Sequence, residues 1–384
     1  MFSEGNIWVY YVSLLVCGAG ALILNASGTQ YSLLEAAEGV KRKKIVWIVT
    51  FFMVGYIVFW AAIRNGIVDT AEYITAYEMR STNMTLKQIF SKSEDRDAPL
   101  FIAYQVLLKK LGFNWQQYLA SIAIISGFFV AYGISKYSDD VPFTYYLFIT
   151  GTHYFWLFNG IRQFVVASVI FACLKWFAEK KWWKLLIVVS ILYFVHTSVI
   201  IVIPIYFIAN MKNWSYGIYA CILATIAVVL LFPSQFVSFL DTTFTDYDVA
   251  ENFAKDDGVN ILRFLVSMVT PTLAFIYKNE LALVDNRYIK ILINMSLISA
   301  GLYAVGVVTS GIYIGRLPLY TDLYGILFLP YLIKNILPKN TKGPIWVAAL
   351  MLYFLYFYLQ TKISNGVYYT TNLIEGLNMG GAQL

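Results

Sequence analysis

The chain has 384 residues, of which 59% are hydrophobic and 13% are charged, and its formal net charge is +6. Soluble domains carry about a quarter charged residues, so this composition excludes an ordinary soluble fold and predicts an all-α polytopic integral membrane protein. The roughly ten-residue alternating segments of a membrane β-barrel are absent, and the small positive charge does not indicate a nucleic-acid partner.

Apolar runs long enough to cross the roughly 30 Å hydrocarbon core of a bilayer recur along the chain. About ten full transmembrane helices are predicted, at 6–24, 45–63, 115–134, 141–159, 163–179, 214–232, 261–277, 288–308, 317–333 and 344–361. We find no internal repeat and no linker rich in Pro or Ser, so residues 1–384 are predicted to form a single membrane domain. External loops are expected at about 64–114 and 233–260, and 99–112 is expected to form an interfacial or re-entrant helix.

Basic residues near the helix ends predict the orientation of the chain. The cluster "KRKK" at 41–44 places the first loop in the cytoplasm and the N-terminus outside. The path of the stretch 184–209 then determines the orientation of all later segments, because a single span there would put the later basic residues outside. A re-entrant helical hairpin that turns near His196 keeps them in the cytoplasm. The charge bias therefore favours the hairpin.

With this topology, four arginines fall on the outer face, against the usual charge bias: Arg64, Arg162, Arg263 and Arg316. A planar guanidinium donates two parallel hydrogen bonds to phosphate or carboxylate oxygens. The four arginines are therefore candidate ligands of one pyrophosphate at the membrane surface. For each arginine alone, the alternative is a side chain that extends to lipid phosphates or pairs with a nearby acid.

Asp69, five residues after Arg64, is a candidate general base or a partner that orients Arg64, and Tyr73 follows it at helical spacing. The alternative for Asp69 is an acid that stabilises a helix N-terminus. His196 is the only ionisable group inside its hairpin, and such a residue within a membrane is a functional candidate by default. His153 lies in a predicted span without an obvious motif and is interpreted as a packing residue.

Neither a metal nor an organic cofactor is expected. No His, Cys, Asp or Glu residues occur at the spacing of metal ligands, and no glycine-rich loop is suited to cradle a phosphate.

Four loose motifs follow one another along the chain. They are Arg64-x4-Asp69-x3-Tyr73, Asn159-Gly-Ile-Arg162-Gln163, His196-Thr-Ser198 followed by Pro204, and Arg316-x3-Tyr320. In this order and placement they resemble the EpsG family over about residues 45–335. Members of that family look like Wzy-type polymerases of bacterial exopolysaccharide and capsule.

The resemblance implies a GT-C-like membrane glycosyltransferase in the bacterial cytoplasmic membrane, with its active site facing outward. Such an enzyme joins oligosaccharide repeat units carried on undecaprenyl pyrophosphate, so both donor and acceptor are lipid-linked. Membrane lipids surround it, and a flippase and a chain-length regulator are expected partners. On this interpretation Asp69 and His196 are the catalytic candidates. The substrate-binding candidates are Arg64, Tyr73, Arg162, Gln163, Arg263, Arg316 and Tyr320.

Three other functions fit part of the pattern. An O-antigen-ligase-like glycan transferase shares the donor chemistry and is the nearest alternative. A flippase of lipid-linked oligosaccharides predicts basic residues along a passage through the membrane, with two-fold related halves. A membrane acyltransferase would take its donor from the cytoplasmic side, which the outward arginines disfavour.

Overall fold

The computed structural model describes residues 6–29, 32–37, 39–91, 98–231, 258–311, 314–363 and 368–373. The first half of the chain forms α1 (Trp8–Ala26), α2 (Leu33–Ala37), α3 (Lys44–Ala62), α4 (Thr70–Met79), α5 (Leu86–Ser91), α6 (Pro99–Lys110), α7 (Trp115–Tyr137), α8 (Val141–Thr150), α9 (Ile161–Ala172) and α10 (Leu174–Ala178). The second half forms α11 (Trp182–Tyr193), α12 (Val202–Ala209), α13 (Tyr216–Leu231), α14 (Ile261–Ile276), α15 (Lys278–Ala282), α16 (Arg287–Val307), α17 (Leu319–Tyr331) and α18 (Lys339–Ile363). Short 3₁₀ helices cover His153–Leu157, Thr197–Ile201 and Ile314–Arg316.

Within the described residues, five helices are long and apolar enough to cross a membrane, namely α1, α3, α7, α16 and α18. The other predicted spans contain shorter helices. The span 141–159 is divided into α8 and a 3₁₀ helix by a turn in which Thr152 has a left-handed backbone. The span 163–179 is divided into α9 and α10 at Cys173. The helical membrane character is thus confirmed, whereas ten full spans and a GT-C-like fold stay predictions.

α7 is the central helix of the N-terminal half and packs along both α3 and α9. It begins with a capping box, in which the Asn114 side chain accepts from Gln117 N at 2.9 Å and the Gln117 side chain accepts from Asn114 N at 2.9 Å. Gly127 lets α3 approach closely, because a Cβ atom there would lie 2.2 Å from Val58 Cγ2. This contact brings α3 and α7 close together along their length.

One end of the bundle, here called the Lys136 end, gathers basic side chains around the turn between α7 and α8. Arg42 Nη2 donates to the Lys136 carbonyl at 3.0 Å, and Lys334 Nζ donates to the Asp139 carbonyl at 2.8 Å. Burial raises the pKa of the Asp139 carboxyl, while a hydrogen bond from Leu33 N and the Lys334 and Arg42 charges act in the opposite direction. These contacts join α2, α7 and the segment after α17.

The opposite end, here called the His196 end, is closed by the segment that follows α18. Thr370 forms an isolated antiparallel bridge with Gly66, and Thr371 Oγ1 donates to the Ile63 carbonyl at 2.6 Å. Asn6 Nδ2 donates to the Tyr369 carbonyl at 3.2 Å. Both ends of the described chain therefore lie beside the loop that follows α3.

The stretch 182–209 folds back on itself. α11 is followed by a turn at 194–196, after which a 3₁₀ helix and α12 form the second arm. The Tyr206 ring on the second arm lies 5.8 Å from the Phe177 ring, which precedes the first arm. The chain therefore reverses where the hairpin near His196 was expected. Each arm is shorter than a full membrane span, for which about 20 residues are needed.

The described part of the first predicted loop, 64–91 and 98–114, contains three helices, α4, α5 and α6. α6 lies within the predicted interfacial segment 99–112, and Leu100 N donates to the Phe194 carbonyl at 2.9 Å. α6 thus starts against the turn of the hairpin. The predicted loop 233–260 lies outside the described residues except for its last three positions.

Candidate functional site

A chain of hydrogen bonds connects His196 to the first turn of α17. Ser198 Oγ lies 2.8 Å from His196 Nδ1 and 2.8 Å from Tyr320 OH. Gln163 Nε2 donates to Ser198 Oγ at 3.4 Å and to the Arg316 carbonyl at 3.1 Å. Ser198, Gln163 and Tyr320 are buried. The structure therefore brings together residues of three of the sequence motifs.

The direction of these hydrogen bonds follows from the His196 ring. Ser198 N also donates to His196 Nδ1, at 3.4 Å, so Nδ1 is an acceptor and the neutral ring carries its proton on Nε2. The Ser198 hydroxyl then donates to Nδ1 and accepts from Tyr320 OH. These hydrogen bonds thereby fix both the orientation and the tautomer of His196.

Two arginines stand beside this histidine. Arg162 and Arg316 are both half-buried, and both lie within electrostatic range of His196. Arg162 is the second residue of α9, and its guanidinium lies 5.9 Å from the centre of the Phe101 ring, a cation–π distance. Gly160, just before the helix, has φ +59, which glycine adopts at little cost. The result is a positively charged region at the His196 end.

Asp69 reaches the same region from the loop after α3. Its Oδ2 accepts a hydrogen bond from Gly160 N at 3.4 Å, at the N-terminus of α9, where the partial charge of the helix favours a carboxylate. Asp69 also precedes α4, and its carbonyl accepts from Tyr73 N at 3.1 Å. Asp69 therefore connects α4 to the helix that carries Arg162.

Arg64 is fully buried beneath that loop. Its Nε donates to Thr70 Oγ1 at 3.1 Å, its Nη1 donates to the Ala61 carbonyl, and its guanidinium lies 5.9 Å from the Phe158 ring centre. These contacts hold the loop carrying Asp69 against the end of α3. Arg64 is therefore less accessible to a ligand than the half-buried Arg162 and Arg316.

Tyr73, Arg64 and Arg162 have one neighbour in common, Tyr118. Tyr118 lies within electrostatic range of Tyr73, Arg162 and Arg64. Tyr73 also packs against the small apolar cluster that contains Tyr118 and Ile161. The predicted residues of the first two motifs thus meet around the start of α7.

Arg263 belongs to a second polar group, which forms a cleft with His153 and Asp322. Its side chain hydrogen-bonds to Tyr356 and lies within electrostatic range of Asp322 and Tyr303. Asp322 Oδ2 accepts from Tyr303 OH at 3.0 Å and lies 3.5 Å from His153 Nδ1. The four arginines therefore do not converge on one point. Only Arg162 and Arg316 share the neighbourhood of His196.

Sequence reasoning missed Asp322 and interpreted His153 as a packing residue. The available signal was a single carboxylate inside the predicted span 317–333, because an ionisable residue in an apolar run needs a partner. Within the described ranges, no three His, Cys, Asp or Glu side chains come together in a way that would suit a metal ion.

These features define a polytopic helical membrane protein with a positively charged polar site at one end of its bundle. The model of the EpsG family matches residues 45–373, so the chain belongs to the EpsG family. This confirms the resemblance carried by the four motifs. Membership suggests an exopolysaccharide-related, glycosyltransferase-like polymerase. The searches of curated proteins and of solved structures found no match.

Proposed function

We propose that the protein is a Wzy-type polysaccharide polymerase. It joins repeat units carried on undecaprenyl pyrophosphate at the outer face of the bacterial cytoplasmic membrane. An acceptor sugar hydroxyl attacks the anomeric carbon of the donor, and the lipid pyrophosphate leaves. The observation that carries the proposal is the placement of Arg162 and Arg316 beside His196, at one end of a membrane bundle.

The two arginines suit a leaving pyrophosphate. Negative charge grows on the diphosphate oxygens as the bond to the sugar breaks, and fixed guanidinium groups stabilise that charge without reorganisation. A partly dehydrated site strengthens the attraction. The lipid tail of the substrate lies in the bilayer, so its diphosphate is at the depth of a helix end. Arg162 occupies such a position at the start of α9.

The remaining site residues orient the substrates and the arginines. Asp69 holds the N-terminus of α9 through Gly160 N, and Arg64 holds the loop that carries Asp69. Gln163 and Tyr320 fix the hairpin turn through Ser198, so His196 faces the substrate in one orientation. Tyr73 adds an aromatic surface of the kind on which sugars stack. Arg263 binds substrate from the separate cleft that also contains His153 and Asp322.

The same proposal implies which substrates, lipids and partner proteins the enzyme meets. The donor and acceptor are both lipid-linked oligosaccharides, membrane lipids contact the helices, and a flippase and a chain-length regulator act before and alongside the polymerase. The closest rival is an O-antigen-ligase-like transferase, which shares the pyrophosphate leaving group but transfers to a different acceptor. The two functions differ in whether the product is a series of lengthening chains.

The test uses the purified protein in nanodiscs with its lipid-linked repeat unit, followed by gel analysis. The wild type should give a ladder of lengthening products, and Arg162→Ala should lower the rate by about 10²–10³-fold, the cost of removing one charge-stabilising donor. Arg162→Lys should recover only part of the rate, because lysine lacks the bidentate fork. The control is Arg287→Ala, an exposed arginine that starts α16 near the Lys136 end.

Each outcome separates the candidate functions. A ladder that Arg162→Ala abolishes and Arg287→Ala preserves supports the polymerase. A single transfer to a foreign acceptor, without a ladder, supports the ligase-like enzyme instead. Movement of intact substrate across a vesicle bilayer without any transfer would overturn the proposal in favour of a flippase.

A further inference from the structure

The cleft that contains Arg263 lies on the other side of α17 from His196. It is formed by the turn after α8 together with α14, α16, α17 and α18. The volume that water can occupy is about 30 Å³, and the whole open space, mouth included, is about 460 Å³. The smaller value is room for about two water molecules. In this conformation the inner cleft therefore admits a hydroxyl group rather than a whole sugar ring.

Asp322 is held firmly inside the cleft. Its Oδ1 accepts from Ser299 Oγ at 3.2 Å and its Oδ2 accepts from Tyr303 OH at 3.0 Å. His153 Nδ1 lies 3.5 Å from the same Oδ2. A fixed carboxylate beside one ring nitrogen orients the imidazole and stabilises its protonated form, leaving the other nitrogen to take a proton.

The His153 ring is placed by its neighbour in the turn. A Cβ atom at Gly151 would lie 2.8 Å from His153 Nε2, so the ring fits there only because residue 151 has no side chain. Both residues line the cleft. His153 therefore lines a space that has the size of a hydroxyl group.

The cleft and the His196 network share the first turn of α17. Tyr320 and Asp322 are two residues apart, which on an α-helix turns their side chains about 200° from each other. Tyr320 reaches Ser198 and the His196 network, whereas Asp322 reaches His153. A glycosyl transfer needs one set of groups for the leaving pyrophosphate and another for the attacking hydroxyl. Two polar groups contact the first turn of α17, one through Tyr320 and one through Asp322.

The two histidines have different charged neighbours. His196 lies within electrostatic range of Arg162 and Arg316, and both positive charges oppose protonation of its ring. His153 lies within range of one carboxylate, Asp322, and one arginine, Arg263. Of the two histidines, His153 is therefore the one that has a carboxylate beside its ring.

We propose that His153, oriented by Asp322, is the general base that activates the acceptor hydroxyl, an inference that rests on the proposed polymerase function. The acceptor O–H bond breaks, and its proton moves to His153 Nε2. The acceptor oxygen forms a bond to the anomeric carbon. The bond from that carbon to the pyrophosphate oxygen breaks, and its electron pair leaves with the diphosphate. The imidazolium then releases its proton to water. Asp322 is a positioning residue in this step.

The test separates kcat from KM for chain elongation in nanodiscs. His153→Gln should lower kcat by about 10²–10⁴-fold, the usual contribution of a general base, with KM for the lipid-linked unit changed less than about two-fold, because pyrophosphate binding is left intact. Asp322→Asn should lower kcat in the same way. The matched control is Asp285→Asn, the same chemical change at a carboxylate whose side chain is 92% exposed and pairs with Lys290 at 2.6 Å.

Each result bears on one claim. If His153→Gln keeps the wild-type kcat while Arg162→Ala loses the ladder, the general base is elsewhere and the polymerase assignment stands. If KM rises and kcat does not change, the cleft binds substrate and the inference is overturned. If the wild type gives no ladder, the proposed function itself fails. If His153→Gln does not fold, Asp322→Asn, which preserves side-chain size, gives the answer instead. A lower kcat with KM nearly unchanged supports the inference, and an unchanged kcat overturns it.

Discussion

Replacing Tyr320 by Phe tests the hydrogen-bond chain that orients His196. The change removes one hydroxyl, which lies 2.8 Å from Ser198 Oγ in a buried environment. Ser198 keeps its contacts with His196 and Gln163, so no partner is left wholly unsatisfied. The expected loss is therefore that of a single net hydrogen bond, about 0.5–1.5 kcal/mol in the free energy of unfolding. Elongation should also slow, because the His196 ring loses one of its restraints.

Tyr145→Phe is the matched control for this change. Tyr145 is also fully buried, but its hydroxyl forms no hydrogen bond within the described part of the chain. Removing that hydroxyl should leave the free energy of unfolding unchanged or raise it, since a buried polar group without a partner costs about 1–3 kcal/mol. Tyr320→Phe should therefore lower the free energy of unfolding, whereas Tyr145→Phe should not. Unfolding in mixed SDS micelles measures the difference. Equal effects on stability and on elongation would refute the hydrogen-bond chain.

Two further predictions concern the cleft and the orientation. Gly151→Ala should destabilise the protein by about 1–3 kcal/mol through overpacking and slow elongation, because its Cβ would lie 2.6 Å from the Leu147 carbonyl oxygen and 2.8 Å from His153 Nε2. Gly55→Ala, which would meet nothing within 4 Å, should be neutral or stabilising in the same unfolding and elongation measurements. For orientation, a membrane-impermeant maleimide should label Met79→Cys but not Leu283→Cys on intact cells, since the two positions are 81% and 86% exposed at opposite ends of the bundle. Labelling of the second variant alone would reverse the proposed orientation.

The neighbourhood of Arg162, Arg316 and His196 was predictable because it depends on helix ends. Apolar run lengths place the ends of helices, and the positions of basic residues place those ends on one side or the other. A residue at a predicted helix end is therefore located to within a few positions in depth. The same reasoning predicted that the chain would turn back near His196 and that a helix would follow residue 99.

The environments of Arg64 and Asp322 were not predictable in the same way. Arg64 donates to the Ala61 carbonyl and to Thr70 Oγ1, while its Nη2 forms no hydrogen bond within the described part of the chain. Which backbone acceptors surround a guanidinium depends on loop geometry that apolar periodicity does not describe. Asp322 meets Tyr303 and His153, which come from helices distant in sequence. A single sequence carries no pairing signal for such tertiary contacts. A turn also broke the expected span 141–159, at Gly151 and Thr152, where less apolar residues interrupt the run.

The first turn of α17 has a physical consequence for the whole site. Because Tyr320 and Asp322 are fixed to the same rigid turn, a displacement of this turn moves the contact with Ser198 and the contact with His153 together. Gln163 ties the preceding Arg316 carbonyl to α9, so the turn is also coupled to the helix that carries Arg162. Transfer between two lipid-linked sugars requires the attacking oxygen, the anomeric carbon and the leaving oxygen to be aligned at the same moment. In the proposed reaction, the rigid first turn of α17 helps to hold these three atoms in line, because it contacts both the His196 network and the cleft that contains His153.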